Sequence, residues 1–267
     1  MTRRRYLNMS MCLLLAILPT LAQAQQESMD AVMKANFVVS RVKDSITNST
    51  FILTNATGQS RERKTLGYSK LLPNGNDNMR LTRFLAPADV KGTGILLIEH
   101  AERDDDIWIW LPALKKVRRL LSSNKKDSFL GTDFSYGDII GHRVEDWTHR
   151  LLKEETVDGA PCYVVESVPK ASKVKTDSGY SKRTDWIRKD NYIAVRGEFW
   201  DESGQPLKQL KASDIKLIDA AANKWQAMLV EARNYQTGHS TRIRIDNIRV
   251  NQNLRDEQFT TRVLERE

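Results

Sequence analysis

Apolar positions recur in two rhythms along this chain. Near the start, Met29, Val32, Met33 and Phe37 fall at helical spacing on one face, with Ser28 placed as a cap. They predict a helix running to about Arg41. From Ser45 onward the rhythm becomes short runs of β-branched and aromatic residues. Turn dipeptides separate them: Thr57-Gly58, Asn74-Gly75, Asp158-Gly159, Asp190-Asn191, Ser203-Gly204 and Thr237-Gly238. The runs predict strands over residues 45–54, 61–71, 79–85, 95–99, 107–111, 116–121, 147–157, 162–168, 182–188, 192–200, 207–217, 225–235 and 241–250. Long helical patterns do not separate them, so the expectation is an antiparallel meander rather than parallel crossover units.

Two strands carry shape information. Ile193, Val195, Gly197 and Phe199 alternate with Arg196 and Glu198, which predicts one apolar and one wet face. Ile243 and Ile245 share a face, but Ile248 and Val250 are out of phase with them. One extra residue near Asp246-Asn247, a β-bulge, restores the phase. Bulges suit a sheet that curls into a barrel or half-barrel.

The first 24 residues follow neither rhythm. Arg3, Arg4 and Arg5 precede an apolar run over residues 11–18, then Pro19 and the small-x-small site Ala22-Gln23-Ala24. This layout predicts a secretory signal cleaved after Ala24, leaving residues 25–267 as a single domain in the periplasm. The basic opening loosely resembles a twin-arginine signal, but the strongly apolar run favours the ordinary secretory route. Cys12 lies inside the run rather than at the cleavage point, so no lipid anchor is expected. Cys162 would then be the lone cysteine, with no internal disulfide.

Composition narrows the class. The chain has 267 residues, 40% hydrophobic, with 42 Lys+Arg against 34 Asp+Glu and a net charge of +8. That is too apolar and too balanced for a disordered chain. It has too few apolar runs for a multi-span membrane protein, and its core is large enough to fold without disulfides.

Motifs for catalysis are weak. His100, His142, His149 and His239 show no metal-ligand spacing, and Asp104-Asp105-Asp106 lacks the alternating ligands of a calcium loop. Ser122 and Lys125 form a Ser-x-x-Lys pair without its companion motifs. Neither a metal nor a cofactor is expected. Lys115, Lys116, Arg118 and Arg119 make the densest basic cluster. In an exported protein this suits anionic headgroups or an acidic partner better than nucleic acid, and a solvated surface strand is the plain alternative.

A string of blocks in order carries a resemblance. Arg83-Phe84-Leu85-Ala86-Pro87 opens it. Residues 111–120 (LPALKKVRRL) and 128–139 (SFLGTDFSYGDI) follow, then Phe199-Trp200-Asp201, Thr237-Gly238-His239 and a close at residues 259–266 (FTTRVLER). Together they resemble the bacterial outer membrane lipoprotein-sorting protein family of the LolA/LolB-like superfamily. Gly137 departs from the pattern, which has an acidic residue there.

The resemblance implies a mainly β (α+β) fold: a curled antiparallel sheet forming an incomplete β-barrel, with helices covering its open side. It also implies a carrier of lipid or lipoprotein acyl chains working beside an inner-membrane transporter, without catalysis. A docking subunit with no cargo and a periplasmic hydrolase stay as alternatives. Oligomeric state is open, with a monomer as the default. Candidate lining residues are Leu81, Leu97, Trp108, Trp110, Ile193, Val195, Phe199 and Ile243 on strands, and Met33 and Phe37 on the first helix. Phe134 and Tyr136 sit on a segment, residues 129–139, that is either a movable cover or a rigid plug. Alternation leaves open which strand face is concave.

Overall fold

The computed structural model describes residues 29–265. The predicted signal segment, Cys12 and Ser28 lie outside these residues. Thirteen strands form one antiparallel sheet: β1 (Asp44–Thr54), β2 (Ser60–Leu71), β3 (Asn78–Ala86), β4 (Gly94–Ile98), β5 (Asp106–Leu111), β6 (Lys116–Leu120), β7 (Trp147–Val157), β8 (Ala160–Pro169), β9 (Tyr180–Arg188), β10 (Ala194–Asp201), β11 (Pro206–Asp219), β12 (Lys224–Asn234) and β13 (Ser240–Val250). The helices are short: α1 (29–38), α2 (Tyr136–Ile140), α3 (Ser172–Ser178) and α4 (Thr261–Leu264).

Strand order is β6-β5-β4-β3-β2-β1-β13-β12-β11-β10-β9-β8-β7. Two meanders therefore meet where β1 pairs with β13, and β6 and β7 are left as the two edges. The sheet is not closed into a barrel. Residues 121–146 run from one edge to the other across the open side, so the connection itself becomes the plug.

Turn chemistry sets the hairpins. Asp158 (φ 47°) and Gly159 (φ 79°) form the two-residue loop between β7 and β8, with both backbones left-handed, as a tight hairpin requires. The expected bulge in β13 is present. Asn48 pairs with Asn247 and Ser49 with Ile245, so Asp246 is the extra residue and Ile245 and Ile248 return to one face. A second register shift, between Ala194 and Arg196, was not expected. It takes Val195 out of phase, between Trp186 of the cluster around Cys162 and the cluster of Val39, Ile193 and Ala227. Ala194, Gly197 and Phe199 hold the inner side.

The sheet is apolar on both faces over β3–β5. On the inner face Phe51, Phe84, Ile95, Leu97, Ile107 and Ile109 pack against Phe129, Tyr136 and Ile140 of the plug. On the outer face Met79, Leu81 and Leu96, with Trp108 and Trp110, pack under Leu254, Phe259 and Leu264 of the C-terminal segment. Across the molecule, Met29, Val32 and Met33 of α1 lie on Val165 and Ile187 of β8 and β9. The plug thus fills one end of the curl and α1 covers the other.

Candidate functional site

Between plug and α1 the inner face does not close. A cavity of about 520 Å³ lies there, lined by α1, α2 and strands β1–β3 and β9–β13. Glycine helps to make the space. Thr47 and Gly67 face each other inside it, and a Cβ on Gly67 would come within 2.6 Å of Thr47 Oγ1.

The walls are mixed. Met33, Phe37, Ile139, Ile140, Ile245 and Ile248 give apolar surface. The inward positions of β3, however, are Asn78, Arg80 and Thr82, and those of β9 are Arg183 and Asp185. On β3 the polar parity faces in because the apolar parity, Met79 and Leu81, is used by the C-terminal segment.

Two buried charge networks hold the plug to the sheet. In the first, Glu99 accepts from Arg41 at 2.6 Å and lies 3.3 Å from Arg80. Arg80 also donates to the Ile139 carbonyl of α2 and Arg41 to the Asn76 carbonyl. Burial lowers the pKa of Arg80; the Glu99 carboxylate opposes this and the Arg41 charge adds to it. The second network is built by a capping box: Ser135 caps α2 through the Asp138 amide, and Asp138 returns the bond to the Ser135 amide. That geometry aims the Asp138 carboxylate at Lys208 of β11, 2.5 Å away, and at the Tyr180 hydroxyl, which donates at 2.8 Å.

The side chains of Asp138 and Lys208 are each 5% exposed, so the pair is cut off from bulk water. Burial pushes the Asp138 carboxyl up, but the Lys208 charge is the largest opposing cause and the group stays well below the usual carboxylate range. Burial likewise opposes the Lys208 charge, and Asp138 raises it above the ordinary lysine value. His142 stands 3.7 Å from Asp138, beyond hydrogen-bond reach, and burial lowers its pKa.

The predicted lining residues separate into groups. Met33, Phe37 and Phe199 line the cavity. Ile193 lines a smaller one beside it, between α1 and β10–β12. Leu97, Tyr136 and Ile243 face inward but are spent on the plug contact. Phe134 is buried beside a third hollow behind the plug, next to Lys208. Leu81, Trp108 and Trp110 lie on the opposite face, and Val195 is displaced by its bulge. The basic cluster is exposed and split. Lys115 is in the turn before β6. Lys116 and Arg118 are opposite Leu111 and Ile109, and Arg119 is opposite Trp108, paired with Asp106.

Arg41, Arg80, Asp138, Arg183, Asp185 and Lys208 were not singled out from the sequence. The one available signal was parity: Asn78, Arg80 and Thr82 alternate with Met79 and Leu81, and an alternating polar set inside a curled sheet marks a polar hollow.

A His–Ser pair does occur. His149 Nδ1 is 2.8 Å from Ser167 Oγ, and its other nitrogen meets the Val144 carbonyl. Both residues are 0% exposed and the orienting group is a carbonyl, so the pair staples β7 to β8 where no substrate reaches. Cys162 is also fully buried, which pushes its thiol pKa up.

Comparison with known proteins bears on this geometry. A family model described as an uncharacterized protein matches residues 76–266. The crystal structure of an outer membrane lipoprotein-sorting protein domain from Vibrio parahaemolyticus is 32% identical, covering 90% of this chain and 100% of its own, with a TM-score of 0.82. The chain belongs to the outer membrane lipoprotein-sorting protein family. A DUF1329 family protein from Desulfovibrio piger ATCC 29098 is 30% identical over 90% of this chain and 99% of its own, with a TM-score of 0.83. A LolA superfamily protein from Nitrosomonas europaea, 18% identical over 90% of this chain and 99% of its own, shares the fold at a TM-score of 0.67. The lipoprotein-sorting family thus has a LolA-like fold. No curated protein matches.

Proposed function

We propose that the protein is a non-catalytic periplasmic carrier. It holds acyl chains of a lipid or lipoprotein in the cavity and passes them between membranes or to and from an inner-membrane transporter. The observation that carries this reading is the hollow of about 520 Å³ between plug and α1, within a fold whose relative from Vibrio parahaemolyticus is named for lipoprotein sorting. That volume lies in the usual range of small-molecule sites, about 300–1,000 Å³.

The physics fits. Each methylene taken from water gains about 0.8 kcal/mol, so an acyl chain leaves a bilayer only for comparable apolar surface. Phe37, Ile140, Ile245 and Ile248 supply part of it. A solidly packed interior would favour a docking subunit without cargo. The plug end is packed in that way and the α1 end is not. Export rests on the basic and apolar segments before residue 25; among the described residues no helix is long and apolar enough to cross a membrane.

Native mass spectrometry of protein purified from the periplasm, followed by lipid extraction, tests the reading. Near-stoichiometric acyl lipid is the expected result. Clean protein that also fails to take up a fluorescent fatty acid would remove the carrier.

A further inference from the structure

We propose that the cavity grips an anion, the charged head of an amphipath, through Arg80 on one wall and Arg183 on the other. The amphipath rests on the carrier reading; the anion site does not.

Three observations support it. First, the cations are short of partners. Arg80 and Arg41 share the single carboxylate of Glu99. Arg80 keeps 27% of its side chain accessible although it lines an inner hollow, so the free part faces the cavity. Arg183 has one ion-pair partner among the described residues, Asp185, whose oxygen is 3.1 Å from its Nε without hydrogen-bond geometry. Burial raises the Asp185 pKa; Arg183 opposes the rise and Asp138 adds to it.

Second, the charge around the hollow is unbalanced. Arg41, Arg80 and Arg183 line it with Asp138 and Asp185; from outside the walls Glu99 serves both Arg41 and Arg80, and Asp138 is already committed to Lys208. Third, Ser45, Thr47, Ser69, Asn78 and Thr82 add hydroxyl and amide donors on the same walls, while His142 Nε2 is buried there with no hydrogen bond. Guanidinium forks backed by neutral donors match phosphate and carboxylate oxygens. A purely hydrocarbon occupant would dry these walls and offer no partner to the groups that lack one, such as His142 Nε2 and Arg183 Nε.

The test compares two amphipaths that differ only in the phosphate group, lauroyl lysophosphatidic acid and monolauroylglycerol, with inorganic phosphate as a third probe. Affinities are measured on the wild type, Arg80→Gln and Arg183→Gln, with thermal melts confirming that each variant folds. The two substitutions lie on different strands, so one readable variant suffices. The expected result is about tenfold or tighter binding of the phosphate-headed lipid. That preference disappears in the variants. Equal affinity for both lipids, or a preference that survives both substitutions, overturns the proposal. If neither lipid binds but inorganic phosphate raises the Tm of the wild type alone, the anion site stands as a free-phosphate site and the carrier falls. If none of the three binds, both readings fall.

Discussion

At the residue scale the most constrained side chain is Lys208. Its ammonium donates to Asp138 at 2.5 Å and to the Asp133 carbonyl at 2.9 Å, with the rings of Tyr180 and Phe199 beside it. Removing one partner of a buried pair strands the other, at a cost of about 3–5 kcal/mol. Lys208→Met should therefore lower the unfolding free energy in urea by about that amount, and Lys208→Met with Asp138→Asn should recover most of it. Equal losses in single and double variants would show that the pair does not act as a unit. Acid stability follows from the same site. Burial holds the pKa of His142 and His149 below the ordinary value of about 6.5, so on lowering the pH the unfolded chain takes protons at these rings before the folded one does. Stability should fall as the pH drops from about 7 to about 5. Asp138, with its lowered pKa, adds a further loss only below about pH 4. Asp185, whose pKa is raised, acts in the opposite sense. His142→Asn should flatten the upper part of this curve, as read from unfolding midpoints across the pH range; an unchanged slope would remove His142 as its cause.

At the element scale the strands were legible because the local signals agreed. Each of the thirteen predicted segments overlaps an observed strand, and the bulge at Asp246 was readable from four residues, Ile243, Ile245, Ile248 and Val250. The facing of the strands was not legible. Apolar parity marks a buried face, and over β3–β5 both faces are buried, one by the plug and one by the C-terminal segment. Trp108 reads like a cavity residue until Phe259 and Leu264 are seen to share its cluster. Long-range pairings such as Asp138 with Lys208, seventy residues apart, leave no local trace. The face assignment makes a sharp comparison possible. Trp108→Ala should cost about 2 kcal/mol, discounted for its partial exposure, and leave lipid uptake unchanged. Ile248→Asp sits on a half-buried inner position and should abolish uptake while the fold persists. Melting curves beside a fluorescent fatty-acid titration separate the two, and the reverse pattern would exchange the functional faces.

At the scale of the whole molecule the question is which part moves to admit cargo. Residues 121–146 are tied to the sheet from many sides. Arg63 of β2 donates to the Leu130 carbonyl, Arg80 of β3 to that of Ile139, Tyr180 of β9 and Lys208 of β11 to Asp138, and Thr241 of β13 to Asp133. Phe129, stacked on Phe51 and edge-on to Tyr136, adds an aromatic core. A segment anchored to five strands opens only when the sheet does. Helix α1 is different: polar contacts fix the chain just past its C-terminal end, through Ser40 to Trp225 and Arg41 to Glu99, while Met29, Val32 and Met33 in its N-terminal half make apolar contacts. Apolar contacts of this kind are interchangeable with those of an acyl chain, so cargo can replace the ones that Met29, Val32 and Met33 make. Hydrogen exchange should then show amides of residues 129–140 protected as strongly as those of β1 and β13. Amides of α1 should open at lower free energy and change most when an amphipath binds. Exchange of residues 129–140 well ahead of the central strands would instead make the plug the moving cover and α1 a fixed wall.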